Sequence, residues 1–505
     1  MKAVNIMNFV RHIDERLPKD SDILYLTTKE ELEAVNEYGF ENTFLLQYDA
    51  VIDERYYKLF TKNASSKTEL GLWYEIVKPL TDACGLPYKS EMGWQWDWHI
   101  IPGFSMAYSV KERELLIDEA MRKFKEVFGH YPRTVASWVI DTHTLNYLAE
   151  NYDIDAVGIC RDQTSTDAYT LVGGYFNGAY YPSKNNIFTP AQSEELKVNV
   201  PVFRLLGPCP VHNYDNRKYM SREESDKIRM GECFTMEPVW KTGRTPENMD
   251  WFFKTYFENE DMGFSYAQLG QENSFGNDNF MPAFRMQLKK LSELNGVSVM
   301  KMADTGKWFK ETYKTTPATS LVADSSWDTN VDVESVYYDC KNYVANLFRY
   351  ESRVFIRALY LFDERIRDLY TERKCETFDA VFENLPIVDT LFGSPDEKVN
   401  CGLSITGCGK KFKVGNIGNS VLHITSGKVS VKFYEDRITV MAKEMRFYPG
   451  SHPVMSIKAG DGEIKFEYKG KKYSLIISGA DIKEKDGFIL IDPTEKEVAL
   501  IPETK

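Results

Sequence analysis

Short β-rich runs alternate with amphipathic helical patterns from residue 1 to about 315, which confines that part of the chain to βα units around a parallel sheet. The runs fall at 4–9, 43–48, 92–98, 135–140, 156–160, 202–206, 234–239, 264–268 and 297–302. They are enough for a seven- or eight-stranded (β/α) barrel. The competing open nucleotide-binding sheet lacks support, because neither G-x-G-x-x-G nor G-x-x-x-x-G-K-[ST] follows any strand.

The helices carry their own stop and start signals. Thr28 and Glu31 read as a capping box, with Gly39 ending that pattern before the second strand. Ser109 and Glu112 open a second helix whose Leu116, Ala120, Phe124 and Val127 share one face, closed by Gly129 and Pro132. A third begins near Pro282, has Phe284, Leu288 and Leu291 as its stripe, and stops at Gly296.

After 308–317 the helical rhythm fades, and from about 400 the chain alternates in strand fashion. Ile464, Phe466 and Tyr468 face one way and Tyr473, Leu475 and Ile477 answer across a turn at 469–471. The expected organisation is therefore a barrel over 1–325 and a C-terminal β-sandwich domain over 326–505.

The 62 Lys and Arg against 75 Asp and Glu give a net charge of -13, with no dense basic stretch, which argues against nucleic acid and anionic membrane as partners. The first twenty residues contain no apolar signal core, and no run approaches a membrane span, so the expected location is the cytoplasm. The 8 cysteines form no C-x-x-C pair.

In barrels of this kind chemistry gathers at the C-terminal strand ends. Arg11, Asp49, Asp97, His99, Asp141, Arg161, Asp162, Glu237, Gln271 and Glu272 all follow candidate strands. Asp141 is also a natural N-cap for the helix after it. The segment 91–99, EMGWQWDWH, places Trp94, Trp96 and Trp98 on one face of a strand and Gln95, Asp97 and His99 on the other.

Residues 91–133, ending in Phe128-Gly129-His130-Tyr131-Pro132-Arg133, resemble the second motif of the NodB-like polysaccharide deacetylases together with the stretch after that motif. Thr43 to Asp49, Ser137-Trp138-Val139-Ile140-Asp141, Gly173 to Pro182 and Gln268 to Ser274 resemble an uncharacterised bacterial family of the glycoside hydrolase/deacetylase barrel superfamily, over roughly residues 1–330, with a β-domain after it. The resemblance implies a barrel and a carbohydrate substrate. Deacetylases of that class hold a divalent metal with an Asp-Asp pair and H-x-x-x-H. Here Gln95 stands at the first His, His99 at the second, and the first motif offers the single acid Asp49, which leaves Asp49 and His99 as the only donors for a metal.

Without that metal the carboxylates suit acid-assisted cleavage of a glycoside. The expected function is a hydrolase, a glycosidase using Glu272 with Asp141 or Asp97 and no cofactor. Arg11, Asp49, His99, Arg161, Asp162, Glu237 and Gln271 would hold sugar hydroxyls, and Trp96, Trp98, Tyr180 and Tyr181 would stack on the rings. The alternatives are a deacetylase with a degenerate metal site and a non-catalytic carbohydrate-binding protein.

Overall fold

A computed structural model describes the chain except for residues 19–20, 162, 167–168, 172, 206–235, 239–240, 260–261, 276–279, 324–332, 378–379, 391–401, 419, 450–455 and 505. The barrel strands are β1 (Lys2–Val10), β2 (Asn42–Leu46), β3 (Thr68–Trp73), β4 (Thr134–Ala136), β5 (Ala156–Cys160), β6 (Ala179–Tyr180), β7 (Val202–Leu205), β8 (Ser265–Leu269) and β9 (Ser298–Val299). They run in the order β8-β1-β2-β3-β4-β5-β7-β6, with β9 also on β1. Every neighbour from β8 through β7 is parallel, and only β6 is antiparallel. Seven parallel strands thus wrap most of a cylinder. Across the seam between β7 and β8, Phe203 and Tyr266 put their rings 5.0 Å apart. Gly270 (φ +108°) lets the chain leave β8 hard against β1, where an added Cβ would collide with the Met7 carbonyl oxygen.

Alternation along the strands fills the cylinder in layers. At its lower end Glu69 accepts from Thr43 (2.9 Å), Thr134 (2.6 Å) and the Ala303 amide (3.1 Å) at the start of the helix Met302–Thr312. Higher up, Phe9, Trp73 and Trp138 form an aromatic floor, with centroids 4.2 Å (Phe9–Trp73), 5.1 Å (Phe9–Trp138) and 4.8 Å (Trp73–Trp138) apart.

The segment 92–98, read as a strand from its alternating tryptophans, contains none; β3 takes that place in the sheet instead. Of the expected strand at 234–239, residues 234–235 and 239 lie outside the described residues. The first helix, α1 (Ile23–Tyr38), starts a full turn before Thr28, so Thr28 and Glu31 are buried mid-helix and form no capping box. Gly39 does end α1, at φ 65°. Ser109 and Glu112 do form a reciprocal capping box on α2 (Val110–Phe128), which buries Leu116, Ala120 and Phe124.

Beyond the barrel, two antiparallel sheets share one hydrophobic cluster. Leu347, Ile356 and Met445 come from one sheet and Leu422, Ile464 and Leu475 from the other. The first strand of this part, Thr319–Ala323, pairs with Val333–Asp339. No helix among the described residues is long and apolar enough to cross a membrane.

Candidate active site

Above the aromatic floor, the C-terminal ends of three strands bring one guanidinium and three carboxylates together. Arg11, just past β1, is 1% exposed. Its Nη1 lies 3.1 Å from Glu272 and 3.6 Å from Asp14, and its Nη2 3.7 Å from Glu75. Glu75 follows β3 and Glu272 follows β8, where Phe9 and Glu272 form a parallel bridge. Arg16 adds a second cation, 2.6 Å from Asp14 and 3.7 Å from Glu272.

Trp96 closes this group from above. The Arg11 and Arg16 guanidiniums both lie over its indole, at 4.1 Å and 4.8 Å, and its Nε1 donates to Glu75 Oε2 at 2.7 Å. Burial pushes the Glu75 carboxyl up to about 7 against the pull of Arg11; the Glu272 charge adds to the rise and the Trp96 N–H opposes it. The Ser274 hydroxyl donates to Glu272 at 3.0 Å. Asp14, although desolvated, is held below the usual carboxylate range by Arg16 and Arg11.

A cleft of about 580 Å³ opens beside the cluster, lined among others by His12, Asp14, Glu15, Asp22, Arg55 and Gln95. Asp14 belongs to both cleft and cluster. The loop carrying Trp96 is tied to the cleft wall where the Gln95 amide donates to Glu15 at 2.8 Å.

The remaining expected residues divide sharply. Asp97 is buried and accepts from the His99 amide (3.0 Å) and Ser90 (3.1 Å), with His99 Nδ1 at 2.6 Å. Trp98 is half-buried against Trp96. Asp141 instead caps α3 (Thr142–Asn151): it accepts from the Thr144 amide at 3.0 Å and from Ser105 at 2.5 Å, and pairs with the fully buried Arg113 at 2.9 Å. Burial works against its ionisation, yet Arg113 and these donors hold it below the usual range. Arg113 in turn donates to the carbonyls of Tyr370 and Arg373, so Asp141 belongs to the joint with the β sheets and has no oxygen to offer a substrate.

Tyr180 and Tyr181 are core residues, not stacking walls; their hydroxyls donate to the carbonyls of Ile187 (2.6 Å) and Tyr313 (2.8 Å). Arg161 is buried against Phe176 and donates to the Tyr256 hydroxyl. Gln271 turns toward α1 and donates to the buried Glu31 at 2.9 Å. Glu237 is buried beside the undescribed stretch, and Asp162 lies outside the described residues.

Asp49 accepts three backbone amides, from His12 (2.8 Å), Ile13 (2.5 Å) and Ala50 (2.9 Å), and burial leaves it above the usual range despite them. Its oxygens shape the turn after β1, and His99 is engaged with Asp97. Among the described residues no three His, Cys, Asp or Glu side chains are placed to hold a metal ion, so the donor set does not fit one at Asp49 and His99.

Three participants are not evident from strand-end position in the sequence: Glu75, Asp14 and Arg16. Glu75 follows the run Leu70-Gly71-Leu72-Trp73-Tyr74, an apolar strand ending on a carboxylate, and Asp14 and Arg16 stand in the charged run directly after β1.

The parallel barrel with β sheets after it is a (β/α) barrel fold that has a solved counterpart. No family model and no curated protein matches the chain. Among solved structures it is similar to a putative glycoside hydrolase/deacetylase from Parabacteroides distasonis, with a TM-score of 0.53 and 14% identity, covering 76% of this chain and 89% of that one. A probable polysaccharide deacetylase from Pseudomonas aeruginosa PAO1 (TM-score 0.37, 10% identity, 62% and 92% covered) and a putative one from Mycobacterium smegmatis (0.31, 12%, 61% and 91%) also match, too distantly to add to the fold assignment. At such identities the likeness speaks for the fold alone.

Proposed function

We propose that this protein is a carbohydrate-active hydrolase whose chemistry runs on Glu75 and Glu272, without a metal held by Asp49 and His99. The observation that carries this reading is a pair of carboxylates on one buried guanidinium, one of them with its acidity tuned to about 7, beside a cleft of saccharide size. A carboxyl poised near neutrality serves as general acid and, once deprotonated, as general base.

In glycosidic cleavage Glu75 protonates the leaving oxygen, while Glu272 attacks the anomeric carbon or deprotonates the attacking water. In deacetylation the same pair deprotonates a water that attacks the acyl carbon and returns the proton to the departing oxygen or nitrogen. Arg11 holds both carboxylates in place. The carboxylate pair favours the glycosidic outcome; the description of the Parabacteroides protein names glycoside hydrolysis and deacetylation together.

A paired screen separates them: aryl glycosides and acetylated chito- and xylo-oligosaccharides, each with and without chelator. Aglycone release lost in Glu272→Gln identifies a glycosidase, and acetate release lost in that variant identifies a deacetylase. Activity abolished by chelator and restored by a divalent ion refutes the metal-free site. Saccharide binding without turnover makes the cluster a binding device.

A further inference from the structure

The tryptophan segment splits its rings between two jobs. Trp96 is buried against Arg11, whereas Trp94, Trp98 and His99 are half-buried at the surface, next to Met92, which is 62% exposed. Trp94 and Trp98 lie 5.2 Å apart at 38°, and Trp98 stacks on His99 at 5.4 Å and 24°. Trp98 also touches Trp96 at 5.7 Å, so an unbroken ladder of rings runs from the surface down to the Arg11 guanidinium. Gly93 turns the loop at φ +70° with open space around it. Between these rings, Gln95 lines the cleft.

Half-buried indoles on a surface loop leave part of each ring to be covered, and the apolar C–H face of a pyranose matches them in size and character. We infer that Trp94, Trp98 and His99 form a stacking subsite for a sugar unit outside the carboxylate cluster, so that the ligand is an oligosaccharide spanning the platform and the cleft rather than a single sugar. The inference rests on the carbohydrate reading above and names the substrate class for the same cleft. Two features argue for a saccharide over a protein partner: the platform is continuous with the cleft through Gln95, and Trp96 carries the same ladder to Glu75.

Isothermal titration of the full chain, native and Glu272→Gln, with N-acetylglucosamine, its β-1,4-linked tetramer, xylose and xylotetraose reads this directly. At least one tetramer should bind about tenfold tighter than its monomer; Trp98→Ala or Trp94→Ala should remove that advantage, and Trp98→Phe should keep most of it. Near-UV circular dichroism checks that each variant retains its fold. Absence of binding by either tetramer, or a length preference that survives both alanine changes, overturns the subsite. Failure of the hydrolase reading appears instead as absent turnover in the paired screen, which leaves this binding result standing.

Discussion

Glu75 and Glu272 meet the same guanidinium on its two arms, at 3.7 Å from Arg11 Nη2 and 3.1 Å from Nη1. One cation therefore tempers the repulsion between two acids that share a buried site, while burial first and the neighbouring Glu272 charge second raise the affinity of Glu75 for its proton.

That raised affinity ties folding to pH. The folded Glu75 carboxyl titrates at about 7 against an ordinary 4.5, so its stabilising contribution is complete below about 4.5 and is lost as pH rises toward about 7. Denaturant unfolding at pH 4.5, 5.5, 6.5 and 7.5 should show the native protein losing stability relative to Glu75→Gln, by on the order of 3 kcal/mol across that window. Parallel curves for the two proteins would contradict the raised proton affinity.

Activity should depend on Glu272 more than on any other described carboxylate. Glu272→Gln keeps the side chain's size and its hydroxyl partner Ser274 but removes the charge facing Arg11. Turnover should fall by about 100-fold or more with the melting temperature little changed. A residual rate within threefold of native, roughly 0.7 kcal/mol, would remove Glu272 from the chemistry.

Asp141 should behave in the opposite way. Its loss leaves Arg113 buried and unpaired, so Asp141→Ala should cost about 3–5 kcal/mol of stability in denaturant titration. Turnover per folded molecule, at a temperature where the variant is still native, should stay near that of the parent. Lost turnover in a fully folded variant would return Asp141 to the active site.

Dialysis against chelator should leave both activity and melting temperature unchanged, because the Asp49 oxygens are occupied by the amides of His12, Ile13 and Ala50. Asp49→Ala, by contrast, should destabilise the turn after β1 by about 1–3 kcal/mol. Stoichiometric zinc binding that disappears in Asp49→Ala would contradict this account.

The barrel is legible because periodicity survives in sequence: β5 coincides with its expected span, and β1, β2 and β8 shift by only a residue or two. β3 is not, since Glu69 and Gly71 interrupt its apolar character. Both face the crowded interior, where Thr43, Thr134 and the Ala303 amide satisfy Glu69. The regular tryptophans of 92–98 imitate a strand while serving a loop: Trp96 and its neighbour Asp97 are both buried, so the alternation of residue type there is not an alternation of burial. An unrecognised β3 conceals Glu75, whereas Glu272, at the end of a recognised strand, is visible. Asp141 follows a strand as a catalytic acid would, and also precedes a helix as a cap would. Only the position of Arg113, contributed by α2 from 28 residues earlier in the chain, distinguishes the two.

The aromatic floor bounds the site from below. Phe9, Trp73 and Trp138 pack against one another one layer beneath Arg11 and Glu75, so three rings line the underside of the cluster. On the opposite side Trp96 covers the cluster, donating to Glu75 and lying against Arg11. The cluster is thus roofed as well as floored by aromatic rings, and the same indole that tunes the acid is its roof.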